Sequence, residues 1–235
     1  MANDGIRRIE IAWSLGIGAD TGLLVILLVT VYARDGVVAT GLLGAVRMLP
    51  AVVAGMLSGA LLERFRGERL LLAIGLVRAA AAALCGMVIA MHGDTVLLFG
   101  LAAVVATVGA PVRPIQATLV PALARSPNEL VAANMAWSTG EGLGAFAGPL
   151  VVGILVAAGQ PAVATLVTAA IFLLTAIVIA GLHFEHARDA AGGAGEAAGG
   201  LRLLDGLRAL RRRPVPAWAM VSVFGQVMSR ALLSS

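Results

Sequence analysis

The sequence predicts an all-α membrane protein: a six-helix bundle plus the start of a seventh transmembrane helix. Three observations carry that prediction. Of the 235 residues, 60% are hydrophobic and only 13% charged, with a mean hydropathy of +0.96. A soluble domain needs far more polar surface than that to cover its core. The apolar residues fall in runs of about 20 or more, the length at which a helix rising 1.5 Å per residue crosses a bilayer. The charged residues collect mainly in the short segments between those runs.

Residues 1–10 are polar and carry Arg7 and Arg8. The first apolar run, 11–32, is too long for a cleavable signal segment and contains Asp20. Arg34-Asp35-Gly36 reads as a tight external turn. Span two covers 38–62, with Arg47 and Pro50 inside it, and span three covers 70–91, with Arg78. His92-Gly93-Asp94 turns the chain outside. Span four, 96–120, is broken by Pro111 and Pro114 around Arg113. Residues 124–129 form an internal turn in which Asn128 is a candidate cap for the next helix. Span five, 130–158, contains Glu141. Gly159-Gln160-Pro161 turns outside, and span six runs over 162–182. The first domain is therefore residues 1–182.

Residues 183–213 change character. A glycine-rich stretch, 192–200, reads as a flexible linker. Apolar residues at 201, 203, 204, 207 and 210 then suit a short amphipathic helix lying on the membrane surface. Arg211, Arg212 and Arg213 close this cytoplasmic segment, and residues 214–235 begin a second transmembrane bundle.

Arginine placement sets the orientation. Twelve arginines lie in the inner segments and one, Arg34, in an outer turn, which predicts a cytoplasmic N-terminus in a cell (inner or plasma) membrane. All 17 basic residues are arginine, which reads as genomic composition bias. The pI near 10.9 does not indicate nucleic acid, because no basic face interleaved with aromatics exists. A single cysteine, Cys85, excludes a disulfide framework and a cysteine-based metal site. No nucleophile, base and orienting group occur together, so no catalytic chemistry and no cofactor are expected. Gly193-Ala-Gly195-Glu-Ala-Ala198 imitates a dinucleotide fingerprint, but no strand precedes it. His183-Phe-Glu185-His186 lies where a helix leaves the membrane and reads as interfacial solvation rather than metal binding. Trp13 and Trp218, near span ends, read as interface anchors.

Between spans two and three, Gly59-Ala-Leu-Leu-Glu63-Arg64-Phe-Arg66-Gly67-Glu68-Arg69 forms a charge-dense hinge. Its order resembles the loop between helices two and three of the major facilitator superfamily of transporters, with Glu63 where that family usually has Asp. Two further stretches are similar to motifs of that superfamily. Gly144-Ala-Phe-Ala-Gly148-Pro149-Leu-Val-Val-Gly153 resembles the Gly-x-x-x-Gly-Pro motif of helix five in its exporters, with the usual double glycine reduced to Val152-Gly153. Arg113-Pro-Ile-Gln116-Ala117 resembles the Arg-x-x-Gln-Gly motif of helix four. Asp20 in span one, Arg113-Pro114 in span four and Val131-Ala-Ala-Asn134 entering span five most resemble the drug-efflux branch containing enterobactin-type exporters.

The resemblance implies the N-terminal half of a superfamily member, so that a C-terminal half is missing and the chain reads as a fragment or truncated product. It also implies alternating access, with Glu63 and Arg64 latching the inner face. In the same hinge, Gly59 permits close helix approach, Gly67 the turn, and Arg69 adds positive charge.

The residues themselves point the same way. Counted from the span starts, Asp20, Arg47, Arg78 and Glu141 fall roughly 12–16 Å deep, and Arg113 about 10 Å from the end of its span. A charge at the bilayer centre costs between about 3 and 10 kcal/mol unless it is paired or faces water. These five are therefore expected to line a central cavity; structural ion pairs locking the helices are the alternative. A carboxylic acid in a low-dielectric site holds its proton and a neighbouring arginine promotes its release, so Asp20, and after it Glu141, are candidate proton-coupling groups with Arg113 as modulator. Gly140, Gly144 and Gly148 form a smooth stripe for close helix packing, and Pro149 bends span five. The expected function is proton-coupled export of a small amphipathic drug or siderophore-like molecule, the arginines favouring anionic character. A half-size protein working as an oligomer, or a non-transporting scaffold or sensor, remains the competing reading. Expected partners are the lipid bilayer, the substrate and protons, with no nucleic acid.

Overall fold

The computed structural model describes residues 4–56, 61, 65–124 and 126–181, all within one compact unit, Met1–Ala187. Gly59, Glu63 and Arg64 of the hinge, Arg125, the 183–213 linker with its surface helix, and the 214–235 run with Trp218 lie outside the described residues. Every regular element among the described residues is helical. The elements are α1 (Asp4–Met56), α2 (Gly67–Ala90), α3 (Thr95–Gly109), α4 (Val112–Leu123), α5 (Pro127–Ala157) and α6 (Pro161–Ala180).

α1 runs for 53 residues, about 80 Å if straight, far more than a bilayer requires. It is not straight. Gly36 has φ 78° and ψ −166°, a backbone conformation that a residue with a Cβ rarely adopts. Asp20 and Arg47 lie 27 residues apart, about 40 Å along an unbroken helix, yet their side chains pair at 2.8 Å. The chain therefore doubles back at Gly36, and the arms 4–35 and 37–56 are spans one and two. α2 is span three, α3 and α4 together are span four, α5 is span five and α6 is span six. Span four is interrupted at Ala110-Pro111, where the proline lacks the N–H that would continue the helix.

Two local expectations are corrected. The N-terminal decade is not a polar tail: the helix starts at Asp4, and Ile6, Ile9 and Glu10 are buried. Ile6 and Ile9 form a cluster with Val120 of α4 and Ala133 of α5, which extends the bundle beyond the apolar run. The cap of α5 is Ser126, whose Oγ accepts from the Glu129 N–H at 3.2 Å, with Pro127 in the first helical position. Asn128 falls inside the first turn.

The packing is dominated by two helix pairs, α1 with α5 and α2 with α6. Between α1 and α5 the backbones touch. A methyl group on Gly148 would run into the carbonyl oxygen of Gly18, and one on Gly144 into that of Ser14. The predicted glycine stripe thus packs against Ser14, Gly18 and Gly22 of span one. Small residues permit this approach where apolar burial gives helices little reason to associate, lipid being as apolar as leucine. Between α2 and α6, Gly75 meets Ala176 in the same way.

Two arginines tie helix ends. Arg34 donates to the carbonyls of Gly93 (2.9 Å) and Ile89 (3.3 Å), and Arg8 to that of Gly181 (2.9 Å). These carbonyls lie at or just beyond the ends of α2 and α6. The outward faces are apolar, Phe146, Ile154 and Ile177 being more than half exposed, as helices bathed in lipid require.

Gly148→Ala is expected to destabilise the bundle by about 1–3 kcal/mol through overpacking. Gly153→Ala, with nothing within 4 Å of the added Cβ, should stay within about 0.5 kcal/mol of the parent. Thermal unfolding of the detergent-solubilised protein compares them, and equal effects would contradict the close approach.

Candidate functional site

The site is built around Asp20, midway along span one. Its Oδ1 accepts from Arg47 of span two at 2.8 Å and also from Arg78 of α2. Arg78 is buried, and its Cζ lies 4.3 Å from the ring centroid of Phe172 on α6, a favourable place for a cation over an aromatic face. The same guanidinium rests on Gly109 at the end of α3, where a Cβ would come within 3.0 Å of Cζ. Spans one, two, three, four and six therefore converge on one carboxylate. Two guanidiniums against one carboxylate leave one positive charge without a counter-charge in this group.

A second pair lies alongside. Arg113, in the first turn of α4 just past the Ala110-Pro111 break, pairs with Glu141 of α5. Both side chains are exposed, unlike those around Asp20. The Arg113 guanidinium carbon stands 5.4 Å from the Trp13 ring, and Trp13 stacks at a tilt on Trp137 with centroids 5.0 Å apart. Trp13 is 5% exposed, which corrects its reading as an interface anchor. Because α1 starts at Asp4, Trp13 lies more than two turns inside the bundle.

These groups surround a cavity of about 420 Å³, within the range of small-molecule sites. Its wall is mostly apolar, including Leu71, Ile74, Phe172 and Ile179, and its polar members are Trp13, Asp20, Arg47, Arg78, Arg113, Gln116 and Thr175. Among the described residues, three polar atoms of this wall are buried without a hydrogen-bond partner: the Trp13 indole N–H, the Arg78 Nε–H and the Gln116 Oε1. Two donors and an acceptor left unpaired in this way are available to a ligand, which would remove the penalty of their burial.

Four of the five charged residues singled out in the sequence (Asp20, Arg47, Arg78 and Arg113) meet at this cavity. Glu141 does not line it but holds Arg113 from α5. Of the hinge, Gly67 starts α2 where an added Cβ would stand 3.4 Å from Ile115 and Leu119, and Arg69 is exposed. Of the span-five motif, Gly144 and Gly148 face span one, Pro149 lies inside α5, and Gly153 has open space beside it. Sequence reasoning missed Trp13, Phe172 and the Gln116 side chain as members of the site. It carries no signal for Phe172, one apolar residue among many. Among the described residues there is no cluster that could hold a metal ion.

Asp20→Asn leaves two guanidiniums facing each other in a buried site and is expected to cost about 3–5 kcal/mol. Arg47→Gln leaves Asp20 paired with Arg78 and should cost less, about 1–3 kcal/mol. Unfolding midpoints in detergent rank them, and the reverse order would contradict the shared-carboxylate arrangement.

No individual curated protein matches the chain. The pattern of the Major Facilitator Superfamily, by contrast, matches residues 14–235 and so takes in the six described spans almost entirely. With the helical bundle, its central cavity and this match together, the chain belongs to the Major Facilitator Superfamily.

Proposed function

We propose that this secondary transporter exports a small amphipathic molecule of anionic character, drug- or siderophore-like, against protons and by alternating access. The observation that carries the reading is the single cavity in which an apolar wall meets Asp20, Arg47, Arg78 and Arg113. An apolar body fits such a wall, and the positive charge left over beside Asp20 suits an acidic group on the ligand. The unpaired Trp13 N–H and Gln116 carbonyl supply one donor and one acceptor to orient it.

For coupling, Glu141 is better placed than Asp20. Asp20 is held between two guanidiniums inside the cavity, whereas Glu141 has one, Arg113, at an exposed edge. Protonation of Glu141 would release Arg113 and loosen α4 from α5; deprotonation would restore the pair. Export rather than import is supported by the span-five glycine–proline order resembling that of the superfamily's exporters. The setting proposed is a cell membrane with the N-terminus in the cytoplasm, supported by the distribution of arginines.

The test uses the protein in liposomes with an imposed pH gradient and a fluorescent aromatic carboxylate as probe. Gradient-driven movement of the probe, with proton flow in the opposite direction, is expected. Glu141→Gln should still bind the probe but lose at least ten-fold in gradient-driven movement. Movement that ignores the gradient, or full coupling in Glu141→Gln, would overturn the proton assignment.

A further inference from the structure

Glu10 is a buried carboxyl group that the cavity does not use. It lies on span one, four residues before Ser14 and eight before Gly18, on the face that packs against the glycine stripe of α5. Its carbonyl oxygen is 3.9 Å from where a Cβ on Gly140 would stand, and the Ser14 hydroxyl donates to that same carbonyl at 3.0 Å. The residue is 7% exposed, and among the described residues neither carboxyl oxygen has a hydrogen-bond partner. On the same stretch of α1, Ile6 and Ile9 are buried in a cluster with Val120 of α4 and Ala133 of α5, against which Trp137 packs.

Among the described residues, the ionisable groups on the elements packed against this end of α1 are the following. Arg8 donates to the Gly181 carbonyl, and Arg113 pairs with Glu141. Arg7 on α1 and Glu129 on α5 are also engaged in interactions. Glu68 and Arg69 begin α2. None of them hydrogen-bonds either Glu10 oxygen. An ionised carboxylate buried without cation or donor is too costly to persist; the group takes a proton instead. Among the described residues, Asp20 and Glu141 are each held by arginine, whereas neither Glu10 carboxyl oxygen accepts a hydrogen bond.

We propose that Glu10 is a proton-carrying site outside the cavity, neutral while span one and α5 are closed over it and ionised when that contact opens to water. The proton passes from the carboxyl oxygen to water on opening and returns on closure. The backbone contact at Gly140, Gly144 and Gly148 is what seals it, so the site reports directly on the separation of span one from α5. Its use in transport rests on the alternating-access reading above; its protonation does not.

Infrared spectroscopy of the protein in lipid tests the protonation. The wild type should show the carbonyl stretch of a protonated carboxylic acid that shifts after exchange into heavy water, and Glu10→Gln should lack that band. Identical spectra for the two proteins would show Glu10 ionised and overturn the proposal. A band that never shifts on exchange would show a sealed structural acid and would overturn it too. In liposomes, Glu10→Gln, which keeps the shape of the neutral acid, should fold like the wild type and lose at least ten-fold in gradient-driven movement of the aromatic carboxylate. Glu10→Asp should recover part of that loss. Wild-type coupling in Glu10→Gln would overturn the proton-carrying role. A wild-type protein that moves no probe would sink the transport reading alone, and the exchangeable band would then decide the proposal.

Discussion

The arrangement depends on the pairing of one carboxylate with two guanidiniums in the middle of the bundle. Asp20 would be expelled from a bilayer if it stood alone, and so would Arg47 and Arg78. Together they bring the returning arm of α1 and the middle of α2 to span one. The grouping also fixes what surrounds it. Arg78 needs an unobstructed seat, which Gly109 provides, and a soft counter-surface, which Phe172 provides. A cavity follows because charged groups of this size cannot be packed without gaps by leucine and alanine.

Backbone contact between span one and α5 is the complementary constraint. Where Gly18 meets Gly144 and Gly148, the two helices approach as closely as their main chains allow. This contact forms one wall of the bundle beside the cavity. A rigid seam on one side and an exposed ion pair, Arg113 with Glu141, next to it give the molecule one strong contact and one weaker one. Exposed pairs contribute little to stability, so α4 and α5 can part there at small cost.

Much of this was legible in the sequence because hydrophobicity and mid-span charge are one-dimensional signals. The six spans follow from apolar runs, and Asp20, Arg47, Arg78, Arg113 and Glu141 stand out because charge in an apolar run is conspicuous. What the sequence does not specify is the partner of each charge. Whether Asp20 pairs with Arg78 or Arg113 depends on helix rotation and on which helices are neighbours, and neither is encoded locally. Trp13 was misjudged for a related reason: its distance from the first apolar residue suggested an interface, whereas Ile6 and Ile9 extend the helix and bury it. Glu10 escaped notice because it lies just before the apolar run, where an acid normally meets water. The glycine stripe at 140, 144 and 148 was visible, but not that Ser14, Gly18 and Gly22 complete it.

The central claim is that the mid-depth charges surround water rather than a dry joint. Single cysteines introduced at Gly44, Ala106 and Thr175, which line the cavity, and at Phe146 and Ile177, which face outward, test it in membranes after Cys85→Ala removes the native thiol. A water-soluble maleimide should label the first three and spare the other two. Unreactive cavity positions, or labelling that does not distinguish the two sets, would contradict the account.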